Sequence, residues 1–392
     1  MDLTLDSGDA AGDITLVAID GHSSEAVTID AGTGTTSVGA IGAGSEIGAV
    51  SIGSSDNGGI TLNGAITTTG AVSLDGPVTL ATGAITIDSS AGNGAISFPH
   101  TIDGAQNLTI SSGSGAVDVN GIIGSTTAIG TLTVNASGTG TIAIEQIGDG
   151  DPANGSLGAT IGNTGTTSVT FDGTQYTMNG ATTVTAQSGD SIIFSGGGAT
   201  TFTTSNDAIT FGTGTVQLSD AADLTITSAN GAVSVASVGG TTSEDITINA
   251  GTGTLAVGAI GNADEINTVT LTGSTITLSG DITTSNAANN NVDINGAVVI
   301  SGAVDIDTDT AGTDGTIDFS STIVGDANNA TTDNLTIDSG GSTVTFNGTI
   351  GVAAPIAGFN VNQDGGNVAL TIPQLGTASG NAGTSCLLYT SP

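Results

Sequence analysis

Short apolar triplets with a polar centre recur along the chain at nearly constant spacing. They begin at Leu3, Val27, Val50 and Val72, again at Leu108 and Leu132, and again at Leu224, Ile246 and Val269, and neighbouring starts lie 22 to 24 residues apart. Side chains alternate across a strand, so the outer residues of each triplet share one face and the central residue takes the other. Leu3/Leu5, Val27/Ile29, Val50/Ile52 and Leu224/Ile226 are expected to point inward, and Thr4, Thr28, Ser51 and Thr225 to water. Ile and Val together outnumber Leu about three to one, and Cβ branching favours strands over helices. No stretch carries a 3.6-residue apolar period, so the pattern predicts an all-β protein.

A period of 22 to 24 residues is the length of one coil of a parallel β-helix, or β-solenoid, with two or three short strands per coil joined at Gly, Asn and Asp. Gly-bearing corners such as AGTG at Ala31 and Ala250 suit turns that need positive φ. Coils stacked at about 4.8 Å would put equivalent strands in register, and roughly 17 of them would make a rod on the order of 80 Å long. A tandem β-sandwich array is the competing architecture. The segment from Ile147 to Thr167, with its GDGDPANG run, breaks the pattern and is expected to project as a loop. The ANNNVDING block around Asn289 is a second candidate corner.

A longer repeat overlies the short one. Residues 27–52 align without gaps to residues 246–271, with 15 of 26 positions identical. The match extends upstream, where DLTLDSG at Asp2 faces DLTITSA at Asp223. It extends downstream, where ITLNGAITT at Ile60 faces ITLSGDITT at Ile276 and the segment at Asn107 faces that at Asn334. The expected organisation is one long unit over residues 1–222 and a second, truncated one over 223–385. Residues 386–392, CLLYTSP, hold the single Cys and read like one translation frame of the transposon-end adapter used in sequencing libraries. They are expected to be a non-structural tail.

Charge narrows the partners. The 392 residues contain no Lys and no Arg against 36 Asp and Glu, and affinity for nucleic acid or anionic lipid rests on cationic side chains, so neither is an expected partner. High charge and 64 Gly suggest disorder, but Ile, Val, Leu and Phe make up about 23% of the chain, above the roughly 20% below which charged chains stay unfolded. No apolar run is long enough to form a membrane-spanning helix. No signal-peptide pattern opens the sequence.

Candidate chemistry is sparse. His22 and His100 fall near turns of separate coils without a zinc-ligand spacing, and read as corner residues. The Gly-x-Gly strings at Gly32, Gly138 and Gly251 return at the coil period and read as corners rather than nucleotide loops. Asp305, Asp307, Asp309, Asp314 and Asp318 place five carboxylates within one coil length, and DSGDAAGD at Asp6 is a lighter version. Ca²⁺ takes six to eight oxygen ligands, so these five are the candidate metal ligands and Ca²⁺ is the one cofactor left open; none is required. The match to an EF-hand is partial: Gly312 is in place, but Ala311 and Asp318 stand where a ligand and Glu belong. Thr-x-Thr strings at Thr225, Thr275 and Thr343 invite comparison with ice-binding solenoids, whose threonines keep strict register. Coils varying by two residues are expected to spoil that register here.

The coil-length repeats, the xLTI and GTGT strings and the lack of Lys and Arg resemble the repetitive shafts of large bacterial surface or secreted proteins, filamentous-haemagglutinin-like and autotransporter-like adhesins. The resemblance implies a non-enzymatic structural or adhesive stalk, located extracellularly or on the cell surface, meeting a host-cell, matrix or glycan surface. The GDGDPANG loop near Asp149 is then the expected contact point. A calcium-dependent surface-layer or matrix component is the first alternative. A glycan-cleaving β-helix enzyme is the second, and would require a pocket joining Asp to His22 or His100.

Overall fold

The computed structural model describes residues 1–8, 11–21, 24–53, 58–151, 153–219, 221–241, 244–261, 266–285, 290–309, 314–327, 332–363, 370–376 and the backbone of 387–390. Among the described residues there are 38 strands and no helix. The fold is a parallel β-solenoid of about 14 turns. Its strands pair with strands about one coil away in sequence, and each registered ladder is parallel. In the first unit, for example, Leu3 faces Val27, Val27 faces Val50 and Val50 faces Val72.

The chain divides into two compact units. The first comprises Met1–Gly196, Thr203–Ser205 and Gly212–Gly214, and the second Gly197–Phe202, Asn206–Phe211 and Thr215–Pro392. Each is built from three parallel ladders around one apolar interior. From Val27 onward the inward residues of the triplets are almost fully buried, with Val27, Ile29, Val50, Ile52, Leu224, Ile226, Ile246 and Ile248 all at 2% exposure or less, whereas Leu3 is exposed and Leu5 half-buried. Thr28 is exposed, while Ser51 and Thr225 are half-buried. Equivalent residues of the long repeat make equivalent strands, since Val27–Asp30 pairs with Val50–Gly53 as Ile246–Asn249 pairs with Val269–Leu278.

In-register stacking places like on like inside each unit. Phe171 stacks on Phe194 with centroids 4.9 Å apart, and the buried Tyr176 meets Phe171 edge-on at 4.7 Å. In the second unit Phe319 stacks on Phe346 at 5.3 Å. Such pairs add stabilisation beyond their buried area. The Tyr176 hydroxyl donates to the carbonyl oxygen of Glu145 and accepts from the Gly173 N–H, so the phenol is buried with its polar end satisfied.

Corners absorb the differences in coil length. Most steps along a ladder are 21 to 25 residues, but Ile60 to Val78 takes 18 and Val304 to Leu335 takes 31. About 14 turns are formed where the triplet spacing suggests 17. At the AGTG corners Gly32 and Gly251 have φ of 54° and 56°, and their N–H groups donate to Asp30 Oδ1 and Asn249 Oδ1, both at 2.8 Å. The two copies thus turn by the same device, an Asx turn into a left-handed glycine. Buried corner hydroxyls complete the set: Ser89, Ser112 and Ser228 each donate to a carbonyl three to five residues on, at 2.6 Å.

Two expectations change. The segment from Ile147 to Thr167 is not a projecting loop, because its strand Ala159–Ile161 pairs with Leu132–Asn135 and with Thr182–Val184. Glycines at positive φ, Gly155, Gly158 and Gly162, return the chain to register, and among its described residues Asp149 to Asp151, Ala153, Leu157, Thr160 and Thr164 are exposed. In the ANNNVDING block Asn289 lies outside the described residues, and Val292 to Asn295 belong to the strand Val292–Ile300 rather than a corner. The backbone of Leu387–Thr390 runs parallel to Gly358–Asn362, whereas Cys386, Ser391 and Pro392 lie outside the described residues.

Candidate functional site

The acidic segment begins on the strand Ala303–Asp307, whose alternation buries Val304 and Ile306 and turns Asp305 and Asp307 outward. Parallel register then stacks acid on acid, with Asp307 facing Asp338 in the next coil. Asp281 lies one coil before Asp305 and accepts its N–H at 2.9 Å. Partial burial, aggravated by the charges of Asp307, Asp281 and Asp338, pushes Asp305 up to about 6. Asp307 is also raised, by burial first and then by Asp338, although the Asp309 N–H bonded to it at 2.9 Å opposes the shift.

Asp309 and Asp314 lie at the adjoining corner. A Cβ on Gly340 would meet the carboxyl groups of both, so the two are neighbours, and Asp314 Oδ2 accepts the Gly341 N–H at 2.7 Å. Asp318 is on another ladder. It faces Asp293, accepts from Asn347 Nδ2 at 3.0 Å and, after burial, is the second cause that raises Asp293. The five candidate ligands therefore divide into a stack, a corner pair and a separate strand residue; residues 310–313, which include Ala311 and Gly312, lie outside the described residues. Among the described residues no three His, Cys, Asp or Glu side chains are grouped to hold a metal ion.

The raised Asp305 has a measurable sign. Its folded-state value lies above the ordinary carboxylate value of 3.8, so its destabilising effect is fully present above about pH 6 and is relieved as pH falls toward 4. Asp305→Asn should stabilise the protein at pH 8 by roughly 1 kcal/mol, a figure reduced for the exposure of the group, and leave it nearly unchanged at pH 4. Thermal melts of both proteins at the two pH values check this; a stabilisation that is equal at pH 4 and pH 8 contradicts it.

Most other acids have a structural use that spacing arguments do not expose. Asp13 accepts from the Thr35 N–H, Asp20 from Gly44, Asp103 from Thr126 and Thr127, Asp223 from Asp245, and Asp245 from Thr268, each reaching the coil 22 to 24 residues on. Asn107 and Asn291 do the same for Thr131 and Thr316. Carboxylates that accept backbone N–H groups satisfy corner donors that a ladder leaves over. For Asp13 the Thr35 N–H, then its hydroxyl, holds the carboxyl below its usual range.

His100 Nε2 lies 3.2 Å from Asp75 Oδ1, one coil away on a half-exposed face, and His22 lies outside the described residues. A cavity of about 350 Å³ is lined by Met1, Leu3, Ile19, Asp20, Gly21, Glu25, Ala26, Val27 and Ile47, and His100 is not among its walls. At the GDGDPANG run the turn is bonded to itself: Asp151 N–H and Asn154 Nδ2 both donate to Asp149 Oδ1, holding that carboxyl low, with Asn154 the larger cause. The threonines keep better register than their spacing suggests, since Thr86, Thr109, Thr133, Thr160 and Thr183 form one unbroken rank. The rank is single. Two residues on, the side chains are Asp88, Ser111, Asn135, Gly162 and Thr185.

No helix among the described residues is long and apolar enough to cross a membrane. Compared with protein-family models, curated proteins and solved structures, the chain matches none.

Proposed function

We propose that the chain is a shaft segment of a large repeat protein displayed on, or released from, a cell surface, and that its role is to carry adhesive elements rather than to catalyse. The observation that carries this reading is the use of the residues. Each unit spends its Ile, Val, Leu and Phe on a continuous interior and many of its Asp and Asn on joining coil to coil, the work of a scaffold. The absence of Lys and Arg adds support, because it removes every site for trypsin-like proteases and gives a uniformly anionic surface. Asp149 to Asp151, exposed and tied at the Asp149 carboxyl by the Asp151 N–H and Asn154 Nδ2, are the first place to look for contact with a host-cell, matrix or glycan partner.

Antibodies raised against the folded chain test this on cells that produce the protein. Labelling of intact cells, or recovery of the antigen from the medium, is expected; labelling only after permeabilisation contradicts the proposal.

A further inference from the structure

Only one of the six prolines, Pro152, follows an aspartate. An Asp–Pro bond is open to attack by its own side chain. Closing the carboxyl onto the carbonyl carbon makes a five-membered ring, and the prolyl nitrogen, part of a tertiary amide, leaves as a secondary amine. In an unfolded chain both groups rotate freely and the closure is slow. Here the acyl half of the bond belongs to Asp151, which is held in place; Pro152 itself lies outside the described residues.

Three hydrogen bonds hold it. The Asp151 carbonyl oxygen accepts the Asn154 N–H at 2.9 Å, so a donor already sits on the atom that gains negative charge when the carbonyl is attacked. Asp151 Oδ1 accepts the Ala153 N–H at 2.9 Å, closing a ring that contains the bond to Pro152. The Asp151 N–H donates to Asp149 Oδ1 at 3.0 Å, and the same oxygen accepts from Asn154 Nδ2 at 2.9 Å. Asp151 is exposed, so water reaches it. The strands on either side are anchored: Thr141–Ile147 pairs with Val117–Ile123 and Ser168–Phe171, and Ala159–Ile161 with Leu132–Asn135 and Thr182–Val184. A break between them leaves both new ends on their ladders.

We infer that the chain cuts itself between Asp151 and Pro152. A carboxyl oxygen of Asp151 bonds to the carbonyl carbon of the same residue, the C–N bond breaks with its electron pair left on the prolyl nitrogen, and the carboxyl proton passes to that nitrogen. The products are a cyclic anhydride at Asp151 and a second chain that begins with the Pro152 amine; water then opens the anhydride to two carboxyl groups. Asp149 is a positioning residue, acting through the N–H of Asp151 and the side chain of Asn154. This goes beyond the shaft reading, since the bond is cut whatever the shaft carries.

The test incubates the full chain in mildly acidic buffer, folded and in concentrated guanidinium chloride, and follows intact masses under denaturing conditions. Two fragments, one ending at Asp151 and one beginning at Pro152, are expected to form roughly 100-fold faster in the folded chain. Asp151→Ala removes the attacking carboxyl and Pro152→Ala the leaving amine, and each is expected to abolish the cut. Asp149→Ala is expected to slow it about 10-fold in the folded chain and not at all in the denatured one, and Asp149→Asn, which keeps an acceptor oxygen, to restore it. An uncut folded chain, equal rates folded and denatured, or a cut that survives Asp151→Ala overturns the inference.

Discussion

Ile248→Asp unfolds the second unit, whereas Thr247→Asp, one residue away, is tolerated. Ile248 is fully buried between Ile226 and Leu271 in its ladder. An aspartate there must either be ionised without a partner or take up a proton, and the chain contains no Lys or Arg that could neutralise it. Loss of the buried side chain adds about 2–5 kcal/mol, and desolvating the carboxyl adds several more, enough to exceed the stability of most domains. Thr247 is on the opposite face of the same strand, half-buried, where the penalty is within about 1 kcal/mol. Circular dichroism and thermal melting check the pair; equal effects from the two substitutions would mean that the inward and outward faces are misassigned.

Gly251→Ala has the next largest effect. Gly251 turns the AGTG corner at φ 56°, and an added Cβ would fall on the carbonyl oxygen of Ala229 in the preceding coil. Backbone atoms of a stacked coil cannot move aside without breaking their own ladder, so about 3 kcal/mol or more is expected. Gly83→Ala separates the two contributions. Gly83 has φ 63° but nothing within 4 Å of the Cβ position, so only the conformational penalty of about 1 kcal/mol remains. Denaturant unfolding of both variants measures the difference, and equal losses would contradict close stacking at the corner.

These contrasts also mark what could be read before the structure was in hand. Triplets such as Val27–Ile29 and Ile246–Ile248 were legible because alternation and Cβ branching act within three residues, and coil length then follows from their spacing. The corner glycines were legible for the same reason. What escaped depends on contacts a full coil apart. Asp103 holding the N–H groups of Thr126 and Thr127, or Asp245 holding that of Thr268, has no local signature; its only trace is an acid one coil upstream of a Thr. The strand Ala159–Ile161 was hidden because its inward Ala159 is small and its Gly-rich flanks read as loop. Within the acidic segment, composition located the cluster but not its division, because register alone decides that Asp307 meets Asp338 while Asp318 meets Asp293.

Parallel, in-register stacking of coils is the claim from which all of this follows, and one distance tests it. Thr86 and Thr183 are 97 residues apart in sequence but four rungs apart in a single rank. With Cys386 replaced by Ser, spin labels on Thr86→Cys and Thr183→Cys should give a narrow distribution centred near 20 Å in double electron–electron resonance, from a rung spacing of about 4.8 Å. A broad distribution, or one centred beyond about 40 Å, would contradict the stacking on which the solenoid depends.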